Sequence, residues 1–170
     1  MCCIRWGSDT APTDEQAPHR VRCMTWNIWW RFGPEWRERQ PRLLETLRRL
    51  DPDVVALQEV WGTADTTQAH DFAEQLEMHA AFTRPALPPP PVPPETADQE
   101  GVEMGVGLIS RWPVPQARAV DLPARHNTSP AAMVVTLEHP AGSLHVIVAC
   151  LEWEPAYNDD RVAQAHKGSR

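Results

Sequence analysis

Residues 54–62, VVALQEVWG, run apolar and then place Gln58 and Glu59 at the end of the run. A carboxylate at the tip of a buried strand is costly unless something there uses its charge. Upstream, MTWNIWW (24–30) closes a β-branched and aromatic run near Asn27, 32 positions before Glu59. Two strands joined by one helix run parallel through a right-handed crossover. Their downstream ends then share an edge, and open α/β sheets bind ligands just beyond that edge. An amide and a carboxylate there suit a hard divalent cation such as Mg²⁺, which takes oxygen ligands and few protein ones. A plainer reading asks less of the residues: Asn27 as a turn residue and Glu59 as a solvated strand end. Spacing alone leaves both readings open.

Other stretches offer less chemistry. GVGLIS (105–110) nearly spells a dinucleotide loop, but Ser110 replaces the last glycine and the segment reads as strand. The seven histidines show no metal-ligand spacing. The final GSR lacks the GxSxG context of a serine nucleophile. Trp26, Trp29 and Trp30 cannot all point inward from one strand, so at least one of them lines a cleft or an interface.

The elements that position Asn27 and Glu59 follow from periodicity. Residues 21–30 predict a buried strand. Trp36, Leu43, Leu44, Leu47 and Leu50 recur at helical spacing, with Pro41 marking a start or kink. LDPD (50–53) stops that helix, and the strand of Glu59 follows. Residues 65–82 predict a second amphipathic helix through Phe72, Leu76 and Phe82. Residues 84–101 form a proline-rich loop, read as a stiff surface segment rather than a ligand for a proline-binding partner. Strands follow at 104–112, 117–122 and 131–139, with 143–153 as the hairpin partner of the last. A helix begins near Asn158 or Asp159. Residues 1–20 are polar and irregular and are expected to be a flexible lead-in, leaving 21–170 as one domain.

Composition sets outer bounds. The chain has 170 residues, with 42% hydrophobic and 23% charged positions, a globular profile for one domain. A net charge of −7 argues against holding long nucleic acid by bulk electrostatics. No apolar stretch approaches the ~20 residues of a membrane span, and the start lacks the apolar run of a secretory signal. The expected compartment is cytoplasmic, and Cys2, Cys3, Cys23 and Cys150 read as reduced thiols.

Taken in order, MTWNIWW, LDPDVVALQEVWG, GVGLISRWPV and HVIVACLEWEPAYNDDRVAQA resemble the endonuclease/exonuclease/phosphatase superfamily, over about residues 21 to 167. The resemblance implies a DNase I-like, four-layer α/β sandwich of two mixed sheets with helices outside. It implies Mg²⁺-dependent hydrolysis of a phosphoester, with Mn²⁺ as the alternative ion. Glu59 then matches the family's metal-ligating glutamate, and Asn27 the asparagine that helps place metal and scissile phosphate. Both are thus expected as catalytic and metal-site residues, acting on a phosphoester substrate of unspecified type.

Where the family usually carries histidine or tyrosine, this chain has Cys150, read as core rather than nucleophile. The family's GDxN and terminal SDH motifs are absent from these residues. The resemblance therefore leads us to expect an amino-terminal portion of the fold, truncated before its last strands and impaired or inactive as an enzyme. The alternative expectation is a non-catalytic binding module, or a fragment completed by a partner chain or by self-association.

Overall fold

In the computed structural model, which describes residues 2–6, 20–126 and 128–168, two four-stranded sheets pack face to face. In chain order the strands are β1 (Cys2–Trp6), β2 (Cys23–Asn27), β3 (Val54–Gly62), β4 (His79–Thr83), β5 (Glu103–Ser110), β6 (Gln116–Asp121), β7 (Ala131–His139) and β8 (Gly142–Val148). The helices are α1 (Trp36–Leu50), α2 (Gln68–Leu76) and α3 (Asn158–Gly168). One sheet has the order β2-β3-β5-β4 and the other β1-β8-β7-β6. β2 and β3 are parallel, as a strand–helix–strand unit requires, and every other pairing is antiparallel.

Alternation along each strand divides the core into layers. Val54, Ala56, Val106 and Leu108 of the first sheet meet Met133, Val135, Leu144 and Val146 of the second. On the first sheet's other face, Val55, Leu57 and Ile109 pack under Leu43, Leu44 and Leu47 of α1 and Phe72 of α2. Lys167 of α3 lies with Val120, Val134 and Ile147 outside the second sheet. The expected order of helix, sheet, sheet and helix is therefore present, as a DNase I-like α/β fold. No helix among the described residues is long and apolar enough to cross a membrane.

α1 begins five residues before Pro41. Its first residue, Trp36, is buried, and the indole donates to Asp98 Oδ2 at 3.2 Å, so a tertiary anchor extends the helix past the proline. The helix ends where Asp51 takes a left-handed conformation (φ +47°) and its amide donates to Leu47. α3 docks mainly through polar groups. Buried Asp160 accepts from the Arg125 amide at 2.9 Å, and buried Gln164 accepts from Glu152 N and donates to Pro123 O.

Several expectations need correction. The strand over 21–30, expected to be buried, is the five-residue edge strand β2, none of whose residues is fully buried. The hairpin partner expected over 143–153 ends as a strand at Val148. The segment 65–82 is not one helix: α2 ends at Glu77 (φ +55°), and residues 79–83 extend as β4 along β5. An open sheet edge outweighs the helical preference of His-Ala-Ala there, because pairing satisfies a full row of backbone groups. Residues 2–6, expected within a flexible lead-in, form β1 and pair with β8. Cys2, Ile4 and Trp6 alternate onto the inter-sheet core while Cys3 and Arg5 face outward. The rest of that lead-in, residues 1 and 7–19, lies outside the described residues.

Where β4 crosses β5 the sheet leaves no room for a side chain. A Cβ on Gly105 would sit 2.3 Å from the Thr83 carbonyl oxygen and 2.5 Å from the Phe82 ring. Gly105→Ala is expected to lower unfolding free energy in urea by at least ~1–3 kcal/mol, the range for overpacking a core.

Candidate functional site

The side chains of Asn27 and Glu59 meet: Asn27 Nδ2 donates to Glu59 Oε1 at 2.6 Å. A β-bulge makes this contact. Gln58 pairs with Val106 and Val60 with Gly105, so Glu59 is an extra residue with no partner in β5. Its φ of +54° lies in the left-handed region that non-glycine residues seldom enter. Val55 and Leu57 face the helices, and a regular strand would put residue 59 beside them. Instead Val60 takes that place and Trp61 returns to the inter-sheet core. Glu59 is thereby turned out of the helix-facing layer and towards the end of β2.

The turn after β2 locks the other partner. Asn27 Oδ1 accepts from the Trp29 amide at 3.0 Å, which fixes the amide plane with its Nδ2 towards Glu59. The backbones stay joined beyond the strands, through Ile28 N to Gln58 O (3.0 Å) and Trp30 N to Glu59 O (2.8 Å). Arg39 of α1 holds the outer turn by donating to the carbonyls of Trp29 (3.0 Å) and Trp30 (2.9 Å). Of the three tryptophans, Trp30 is fully buried, Trp26 is half-buried and Trp29 is exposed.

Glu59 is half-buried, and burial pushes its carboxyl up from the usual carboxylate range, while the Asn27 hydrogen bond opposes that shift. Among the described residues no basic side chain pairs with it. A desolvated carboxylate lacking a cationic neighbour, with one oxygen already oriented by an amide, fits a hard divalent cation. No group of three or more His, Cys, Asp or Glu placed to hold a metal occurs among the described residues. Glu59 would offer a carboxylate oxygen to such an ion, with Asn27 holding that carboxylate in place.

Cys150 approaches from the second sheet, two residues past β8. Burial pushes its thiol up to about 12, with the Glu59 charge as the next cause. Burial and the neighbouring charge both disfavour the thiolate, which is the nucleophilic form. The shared edge that the sequence predicts for Asn27 and Glu59 is where their side chains meet, while Cys150, read there as core, is partly buried close enough to feel the Glu59 charge. The sequence shows no sign of the bulge, because a left-handed glutamate carries no glycine signature, and none of the Trp29 amide or the Arg39 clamp.

A sequence profile described as the Endonuclease/Exonuclease/phosphatase family matches residues 24–167. No curated protein matches by sequence. Similar solved structures include the human Nocturnin catalytic domain with bound sulfate, at 24% identity and TM-score 0.67, covering 86% of this chain and 55% of that one. An endonuclease/exonuclease/phosphatase from Beutenbergia cavernae DSM 12333 matches at 24% identity and TM-score 0.64, covering 87% and 43%. ANGEL2, described as a 2',3'-cyclic phosphatase, matches at 16% identity and TM-score 0.57, covering 85% and 45% in its complex with adenosine-2',3'-vanadate. The chain spans about half the length of these structures.

The thiols test the electrostatics of this corner. At pH 8, iodoacetamide followed by mass spectrometry is expected to modify exposed Cys3 readily and Cys150 far more slowly, since only the thiolate reacts. Comparable rates at the two positions would contradict the burial described.

Proposed function

Because the chain belongs to the endonuclease/exonuclease/phosphatase family, we propose that it is a Mg²⁺-dependent phosphoester hydrolase domain, with Glu59 and Asn27 as its metal-site and catalytic residues. The observation that carries this reading is the 2.6 Å contact between Asn27 and Glu59 at the edge where two parallel strands end. Glu59 would hold the cation, and Asn27 keeps the carboxylate oriented while its remaining amide hydrogen is available to a phosphoryl oxygen. When bound there, Mg²⁺ (or Mn²⁺) supplies Lewis-acid polarisation of the phosphoryl group. Cys150, as a neutral thiol, offers only a weak donor to phosphate.

These 170 residues contain neither GDxN nor SDH. Losing one positioned acid–base group typically costs ~10²–10⁴ in rate. By itself, the chain is therefore proposed to turn over a phosphodiester close to the uncatalysed background.

A second reading, a surface that pairs with another copy or another chain, draws support from one feature. Outside the second sheet, Val120, Leu122, Ala132, Val134 and Ile147, with Arg118 and Lys167, line a hollow of about 340 Å³. A clean monomer by size exclusion, with cooperative melting, counts against that reading.

Mg²⁺ titration by calorimetry is expected to give a binding isotherm that Glu59→Gln abolishes. Binding unchanged by that substitution removes the metal assignment. Strong hydrolysis of a generic phosphodiester, lost in Glu59→Gln, would keep the site and overturn the proposed impairment.

A further inference from the structure

Two of the large apolar side chains exposed among the described residues are tryptophans, Trp29 at 54% and Trp153 at 59%. Trp29 lies two residues beyond Asn27 and is bonded to it through its amide. Trp153 lies three residues beyond Cys150, whose thiol feels the Glu59 charge.

Trp29 is held rather than loose. Its backbone φ is +62°, a conformation bulky residues avoid. The Arg39 guanidinium carbon sits 5.0 Å from its ring centroid, covering one face. Its outer ring edge rests on Gly33, where a Cβ would lie 3.2 Å from Cη2 and Cζ3. A strained backbone, a cation behind the ring and a glycine cut away to seat it all maintain an indole that more than half faces solvent. The fold gains no core packing from that exposure. A fixed, exposed aromatic face with a guanidinium behind it is what stacks on flat rings.

We infer that Trp29 is a stacking platform for an aromatic ring carried by the phosphoester, which makes the substrate class a nucleotide. The inference rests on the metal-site reading of Asn27 and Glu59. A lipid surface fits less well. The groups around Trp29 are Asn27, Arg39, Phe32 and Gly33, which is a polar and cationic setting rather than a continuous apolar patch.

Calorimetric titrations with AMP and with ribose 5-phosphate, both at saturating Mg²⁺, differ only in the base. AMP is expected to bind at least ~10-fold tighter, in line with the contribution of one base–aromatic stack. Trp29→Gly is expected to bring the affinity ratio close to one, and Trp29→Phe to retain part of it. Glycine accepts a φ of +62°, so loss of the ratio in that variant is not a folding defect, and its melting temperature checks this. Equal affinities in the parent chain, no binding of either ligand, or a ratio that survives Trp29→Gly would each overturn the inference. So would the absence of AMP preference together with binding to phosphatidylcholine vesicles that Trp29→Gly abolishes. Glu59→Gln keeps the two readings separate: weakening of both ligands together supports the metal site. Indifference of both refutes it, while the base ratio still reports on Trp29.

Discussion

The bulge in β3 decides where the carboxylate of Glu59 points. A strand buried on both faces has period two, so its end residue must face either the helices or the other sheet. Adding one residue changes that parity without lengthening the pairing with β5. Val60 fills the position under α1 and α2 that Glu59 would otherwise occupy, and a charged group is spared a place among Leu47, Phe72 and Ile109. Removing the bulge while keeping the sequence would bury Glu59 in the helix-facing apolar layer and turn Val60 to the inter-sheet face. The site therefore depends on backbone geometry before it depends on any side-chain chemistry.

α1 is the brace for that geometry. Arg39 reaches from its first turns to the carbonyls of residues 29, 30 and 32, which lie in the irregular turn after β2. Arg31, within that turn, stacks between Trp36 and Trp61, its guanidinium carbon 4.5 and 4.6 Å from their ring centroids. Arg31 also donates to the Asp98 carbonyl at 2.6 Å, which ties in the proline-rich segment. Helix, turn, strand and loop are thus joined through one flat cation rather than through apolar contact alone. Trp30 adds a buried link, since its indole nitrogen donates to Glu103 O at 2.9 Å while its amide holds Glu59 O.

Patterns that act over a few residues were readable in the sequence. The leucines of α1, the apolar run of β3 and the hairpin of β7 and β8 each follow from local spacing, and together they fix the edge shared by Asn27 and Glu59. Features set by distant neighbours were hidden. β1 and β4 are strands because an open edge waits for each of them, on β8 and β5, and short segments such as CCIRW and HAAFT carry too weak an alternation to announce it. The bulge was equally silent, because its left-handed residue is a glutamate and not a glycine. Trp29, Trp30 and Asp51 hold positive φ with the same lack of signature.

α3 meets the body of the protein differently from α1 and α2. Its deeply buried side chains are Asp160 and Gln164, and each bonds to a backbone group of a neighbouring loop. Apolar contacts weaken gradually as surfaces slide, whereas directional bonds fail together once their partners drift apart. A helix fastened in this way has a narrow tolerance for misplacement and little adhesion outside it. Its seating therefore rests on the orientation of a few bonds more than on the area of apolar surface it covers.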